Sequence, residues 1–201
     1  MLGSKEKNID FLWQSFLDGD DKSFSYIYEL HINGLLAYGL KITTDREIVH
    51  DSIQEVFMDL FLKRKKIDVK IRNLKSYLFV ALRHSIIKKI TQAKKNTSFE
   101  KIENKEPIEF NIEYSFQEKL IEQETKKEVQ EKLKAAVSNL AARQKEIIYL
   151  KFEQDLDYED ISEIMDISVE SARKLLHRAM LSLRKLIESK AFQLLMLILL
   201  K

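Results

Sequence analysis

The stretch LDYEDISEIMDISVESARKLLHRAM, residues 156–180, decides how this chain is read. It divides into two short amphipathic helices with only a few residues between them. Asp157 is placed to cap the first, and Asp160 strengthens its N-terminal turn. Ile161, Ile164 and Met165 form an inner stripe, and Asp166-Ile167 makes a tight turn. Ser168 caps the second helix, along which Ala172, Leu176, Ala179 and Leu183 recur as one buried stripe. The small Ala172 and Ala179 let a neighbouring helix approach closely. Arg173 and His177 are spaced one turn apart, as are Lys174 and Arg178, and at least the first pair projects away from that stripe. A short helix, a tight turn and a basic second helix together predict a helix-turn-helix. In that motif the first turn of the second helix, here Glu170 and Ser171, meets base edges, while Arg and Lys read guanine or neutralise phosphate. The same pattern also fits a helical bundle with a solvated basic face.

Composition points the same way for the rest of the chain. With 201 residues there is room for one domain or two small ones. Pro occurs 1 time and Gly 4 times, too few for the turns of a sheet-rich fold, so the expectation is all-α. Cys is 0, which removes disulfides and thiolate zinc sites and fits a reducing cytoplasm. His31, His50, His84 and His177 show no metal-ligand spacing and no Gly-rich phosphate loop is present, so neither an enzyme nor a cofactor or small-molecule substrate is expected.

The formal charge of +2 hides strong segregation. Residues 1–60 hold 11 acids and 5 Lys/Arg, whereas residues 63–95 hold 12 Lys/Arg and 1 acid. Residues 99–131 hold 10 acids and 5 lysines, and residues 171–190 hold 6 Lys/Arg and 1 acid. A local field of this kind, not the net charge, attracts a polyanion. Two domains are expected, at 1–92 and 118–190, with a flexible acidic linker at 93–117 that contains Pro107 and an apolar tail at 191–201. No signal peptide is visible. The tail segment AFQLLMLILL, residues 191–200, is about 15 Å long as a helix, too short for roughly 30 Å of hydrocarbon. Phe192, Leu195, Met196 and Leu199 would form a stripe on it, covering a groove, meeting a partner or continuing the last helix into the core.

The N-terminal half begins with a short helix over residues 9–17. A longer one follows, its apolar positions being Phe24, Ile27, Tyr28, Leu30, Leu35, Leu36 and Leu40. Thr44 is the expected cap of the next helix, with Glu47 at capping-box spacing. That helix contains DSIQEVFMDLF, residues 51–61, in which Asp51, Gln54 and Glu55 present a polar patch while Val56 and Phe57 turn to the core. The patch suits a protein partner, and the spacing alone fits plain amphipathicity with solvated acids better. After the charged run 63–72, a helix starting near Asn73 presents Leu74, Tyr77, Leu78, Ala81, Leu82 and Ile86 on one face. Its other face holds Lys75, Arg83, His84, Lys88 and Lys89. Cations beside Phe61, Tyr77 and Phe79 suit single-stranded DNA, which needs phosphate neutralisation and base stacking; a core Tyr77 with solvated lysines is the alternative. Helical character is expected again from Phe116 to Val137.

Taken together, these motifs resemble the extracytoplasmic-function class of bacterial RNA polymerase sigma factors. DSIQEVFMDLF is similar to the helix of region 2 that binds core polymerase. NLKSYLFVALRHSIIKKI, residues 73–90, is similar to the helix that reads the promoter −10 element. LAARQKEIIYLKFEQDLDYEDISEIMDISVESARKLLHRAMLSLRK, residues 140–185, is similar to region 4, which reads the −35 element. The chain departs from the family pattern at Leu140-Ala141 for Leu-Pro, Met165-Asp166 where Gly is common, His84 where Asn often follows Arg, and Ser171-Ala172-Arg173 for Thr-Val-Lys.

The resemblance implies an alternative sigma factor made of two small helical domains. Asp51, Gln54, Glu55 and Phe57 would form or support the polymerase-docking surface. Lys63, Arg64, Lys65, Lys66, Arg72, Tyr77, Arg83, His84, Lys88 and Lys89 would serve the −10 element, with a flipped base held between the 63–72 loop and the following helix. Ser168, Glu170, Ser171, Arg173, Lys174, His177 and Arg178 would serve the −35 element. The implied partners are core RNA polymerase, promoter DNA and an anti-sigma factor. The implied location is the cytoplasm, at the nucleoid when active and held at the inner membrane when sequestered. The alternatives are a stand-alone helix-turn-helix regulator and a helical scaffold that does not bind DNA.

Overall fold

The computed structural model describes residues 2–66, 73–97, 110–111 and 135–186. Among them every regular element is helical and no strand occurs. The apolar tail, residues 67–72 and residues 116–134 of the helix expected over 116–137 lie outside the described residues, while 135–138 are helical. The chain divides into two compact units, Met1–Glu103 and Asn104–Lys201.

The first unit contains α1 (Leu2–Leu17), α2 (Asp21–Ile42), α3 (Arg46–Lys63), a 3₁₀ turn at Arg64–Lys66, and α4 (Leu74–Thr97). The α4 helix runs on through Thr91 to Thr97, a stretch expected to be linker. Gly19, at φ 107, turns the chain after α1, and Asp20 caps α2 by accepting from the Lys22 and Ser23 amides. The cap of α3 is Asp45, not Thr44. Its Oδ1 accepts from the Glu47 and Ile48 amides at 3.0 and 3.2 Å. Three cap-competent residues stand in a row, and the one next to Arg46 brings an ionised acceptor. Thr43 supports it, Oγ1 accepting from the Asp45 amide at 3.2 Å. Asn73 Oδ1 likewise accepts from the Ser76 amide at the start of α4.

The core of this unit forms where α2, α3 and α4 pack on one another, with α1 against α2. Phe16, Ile27, Leu35, Tyr38, Val49, Leu60, Leu78, Leu82 and Ile86 are buried there. Removing each such side chain from water contributes about 1.5–3 kcal/mol. Gly39 permits the close approach, since a Cβ there would stand 2.6 Å from Val49 Cγ1 and 3.2 Å from Ile86 Cδ1. The inner stripe of α2 differs from the expected one. Tyr28 and Leu30 are exposed, while His31, Tyr38 and Gly39 are buried. A long helix flanked by several partners buries whichever side they cover, and hydrophobicity alone does not settle that rotation.

In the second unit, α5 (Ala142–Ile148) runs into a π-helical turn at Tyr149–Glu153, followed by α6 (Tyr158–Met165) and α7 (Val169–Leu186). Ala141 has no side chain to cap α5. Gln144 Oε1 accepts from its amide instead, at 3.2 Å. Asp157 Oδ1 accepts from the Asp160 amide at 2.8 Å, and Ser168 Oγ from the Ser171 amide at 3.1 Å, as expected for the two caps. Asp166 takes the left-handed conformation, φ 52 and ψ 58, that ends α6. Asp is one of the few side chains to accept it where Gly is absent. Ile161, Ile164, Met165, Ala172, Leu176, Ala179 and Leu183 are all buried, so both expected stripes meet. Arg143 fastens α5 to the end of α6, Nη2 donating to the Met165 carbonyl at 2.9 Å. Phe110 lies within the stretch expected to be linker. It is 2% exposed, and its ring centroid is 5.8 Å from that of Tyr149.

Candidate functional site

One face of α3 carries the expected docking residues. Asp51, Gln54 and Glu55 are exposed along it. Phe57 is only 3% exposed and stands edge-on to Phe24 and Tyr28, so it supports that face from beneath and contributes no surface to it. Met58 and Leu62, 63% and 70% exposed, extend the face by one and two turns from Gln54. The sequence reading missed both, although stepping by four from Gln54 reaches them. Glu55 is engaged within the protein. Ser85 Oγ donates to its Oε2 at 2.8 Å, and Lys89 Nζ lies 3.3 Å from the same oxygen. The Ser85 hydrogen bond, then Lys89, holds the Glu55 carboxyl below its ordinary range.

The expected −10 residues separate into engaged and free groups. Lys63 is paired with Asp59 one turn earlier, and that hydrogen bond raises the affinity of its ammonium for the proton. Arg64 Nη1 donates to Asp21 Oδ1 at 3.0 Å, and its guanidinium lies 4.9 Å from the Phe61 ring centroid. It therefore clasps the start of α2. Lys65 is exposed. Arg72 and the Lys66 side chain lie outside the described residues. Arg83, expected on the polar face, is buried, with 7% of its surface exposed. It follows Ser76 by seven residues and Phe79 by four, which returns it to their buried side. Phe79 is itself buried at 1% against Tyr38, which removes it as a stacking platform. What α4 offers to solvent is Tyr77, 36% exposed, with His84 and Lys88 further along the same face.

On α7, Ser171, Arg173, Lys174, His177 and Arg178 are all exposed, opposite the buried stripe. The last four line one shallow, open depression. Ser168 Oγ donates to Ser171 Oγ at 2.9 Å, leaving the Ser171 hydroxyl proton free to point outward. Glu170 pairs with Lys174 at 2.6 Å and tempers its charge. Arg178 Nε donates to the Lys174 carbonyl at 3.4 Å. The Arg173 guanidinium lies 5.4 Å from the centroid of the Tyr158 ring on α6. Exposed cations on one face of a helix, with a hydroxyl and a carboxylate at its N-terminal turn, suit a polyanion with readable edges. Among the described residues no group of acids and histidines could hold a metal ion, and no helix is long and apolar enough to cross a membrane.

Comparison with known proteins agrees with this division. Residues 27–96 match the family model for Sigma-70 region 2, and residues 130–183 match that for Sigma-70, region 4. The chain is 26% identical over 160 residues to the ECF RNA polymerase sigma factor SigM of Bacillus subtilis (strain 168), covering 80% of this chain and 92% of that protein. Its fold is similar to that of the sigma factor RpoE of Bartonella quintana, solved in complex with the anti-sigma factor NepR. The TM-score is 0.56 at 21% identity, covering 82% of this chain and 96% of that one. With a region 2 match at residues 27–96 preceding a region 4 match at residues 130–183, the chain belongs to the sigma-70 factors, and the relative that aligns along most of its length is one of the ECF class.

Proposed function

We infer that this chain is an alternative sigma factor that binds core RNA polymerase and directs it to a specific set of promoters. The observation that carries the reading is the pairing, in one chain, of a region 2 match with a region 4 match whose recognition helix exposes Arg173, Lys174, His177 and Arg178. It acts by binding, as an initiation factor, and no catalytic step is assigned to it.

The outer face of α3 serves as the polymerase dock. Asp51 and Gln54 supply polar contacts, and Met58 and Leu62 supply the apolar area that a protein interface needs at its centre. Tyr77, His84 and Lys88 on α4 serve the −10 element, with Tyr77 as the stacking platform for an unpaired base and the basic pair on the backbone. Lys63, Arg64 and Lys89 contribute positive field more than free donors, because each already has an internal partner. Arg83 acts from within the α4 packing. The exposed face of α7 serves the −35 major groove. An anti-sigma factor is a further partner, supported by the complex in which the similar RpoE was solved. The working location is the cytoplasm at the nucleoid, with sequestration at the inner membrane when the partner is membrane-bound.

Titration against core polymerase stripped of its own sigma subunits, resolved by size exclusion, tests this reading. One-to-one saturable binding is expected. Arg173→Ala should retain that binding and weaken protection of the −35 region in footprinting. Absence of core binding by folded protein, with a control sigma factor competent, would point to a stand-alone DNA-binding regulator.

A further inference from the structure

Arg173, on the recognition helix, reaches back to the preceding helix of the motif. Its guanidinium carbon lies 5.4 Å from the centroid of the Tyr158 ring. Tyr158 is the first residue of α6, fixed there by the Asp157 cap directly before it, and it is half-buried. A second cation addresses the same ring. Lys151 Nζ lies 5.4 Å from the centroid and donates to the Leu156 carbonyl at 2.9 Å. Lys151 is thus tied to the backbone, and the Tyr158 ring has a framework cation and a cation of the reading face within the same distance.

We propose that Tyr158 is a positioning residue for promoter recognition: its ring seats the Arg173 guanidinium in the rotamer used to read the −35 element. The claim rests on the assignment of α7 to that element. An unattached arginine on a helix face samples many rotamers, and ordering it on DNA costs side-chain entropy. A ring within about 6 Å attracts a guanidinium through its quadrupole and narrows that ensemble before DNA arrives. Lys174, His177 and Arg178 are further round the helix, and none of them lies over an aromatic ring among the described residues. Lys174 and Arg178 make their contacts within α7, to Glu170 and to the Lys174 carbonyl, whereas Arg173 meets a ring carried by α6. Tyr158 acts through Arg173 and needs no contact with a base.

A double-mutant cycle tests the proposal on the full chain bound to core polymerase. The probe is the duplex that wild-type holoenzyme enriches from a randomised promoter pool. Arg173→Ala should lower affinity for that duplex, and Tyr158→Leu should lower it about two- to fivefold, the size of one such cation–ring contact. Tyr158→Phe, which keeps the ring, should restore wild-type affinity. Adding Tyr158→Leu to Arg173→Ala should cause no further loss. Additive losses, or failure of Tyr158→Phe to rescue, would mean that Tyr158 acts on the fold or on DNA directly and would overturn the proposal. If Arg173→Ala leaves affinity unchanged, the role of Arg173 in reading DNA fails as well. A loss with Arg173→Ala but none with Tyr158→Leu sinks the seating alone. A second measurement needs no folded variant. In the wild-type chain, NMR of the Arg173 δ-methylene protons should show the upfield shift of protons above an aromatic ring, and an unshifted resonance contradicts the proposal.

Discussion

Glu55 on α3 and Lys89 on α4 stand 3.3 Å apart, and the carboxylate oxygen that meets Lys89 also accepts from Ser85. The face assigned to polymerase and the helix assigned to the −10 element are thereby joined by one polar clasp. This follows from the helical positions, because Ser85 and Lys89 are one turn apart on α4 and Glu55 reaches both.

Glu55→Ala should remove that clasp at small thermodynamic cost. The carboxylate is partly exposed, and pairs of this kind contribute about 0.2–1 kcal/mol. Urea unfolding should show a loss within that range that shrinks with added salt. Because the Glu55 carboxyl is held below its ordinary range, its contribution is present at neutral pH and is lost as pH falls through its folded value. Glu55→Gln, which can still accept from Ser85, should fall between wild type and Glu55→Ala. A loss of several kcal/mol would show that the clasp carries more than a surface pair.

His31 makes the N-terminal unit acid-sensitive. It is only 7% exposed, its Nε2 has no hydrogen-bond partner, and burial followed by the Lys75 charge lowers its pKa to about 4. The folded state therefore binds this proton less readily than the unfolded chain, whose histidine titrates near 6.5. Stability is full above that value and declines as pH drops towards about 4, by on the order of 2 kcal/mol at pH 5. Urea midpoints at pH 8 and pH 5 should differ less in His31→Leu than in wild type. An equal pH dependence in both would rule His31 out as the source.

Gly39→Ala should be among the more damaging single changes in the first unit. The added methyl would meet Val49 Cγ1 at 2.6 Å, and overpacking of this kind costs about 1–3 kcal/mol. Val49→Ala in the same chain should recover part of the loss, since it removes the clashing atom. Thermal melts of the two singles and the double check this, and strict additivity would show that the helices instead move apart.

Phe110→Ala should destabilise the second unit although the residue lies far from its helices in sequence. The ring is buried beside Tyr149, and truncating such a side chain costs about 3–5 kcal/mol. Guanidinium unfolding followed by Tyr fluorescence should resolve the loss, and an unchanged midpoint would mean that the ring is not part of the cooperative unit.

The second unit was legible because its signals are local. Caps at Asp157 and Ser168, a turn at Asp166 and steps of three and four between Ala172 and Leu183 each involve residues a few positions apart. Such patterns declare a helix-turn-helix before any tertiary contact forms, and the exposed basic face follows from the same periodicity. The all-helical class was equally plain from the scarcity of Gly and Pro.

Tertiary structure decided which way the longer helices turn. In α4 the charge of Arg83 suggested solvent, yet packing against α2 and α3 buries it with Phe79 and leaves Tyr77, His84 and Lys88 outside. In α2 it exposes Tyr28 and Leu30 and buries His31. Pairings across distance, such as Arg64 with Asp21, Glu55 with Lys89, Phe110 with Tyr149 and Arg173 with Tyr158, have no sequence signature at all. The sequence by itself determined the helical class, the order of the described helices, the two basic blocks and the resemblance to the family. Only the folded chain decided which of those charges stay exposed. A side chain's availability depends on what comes to lie beside it, and neighbours far apart in sequence meet only when the helices pack.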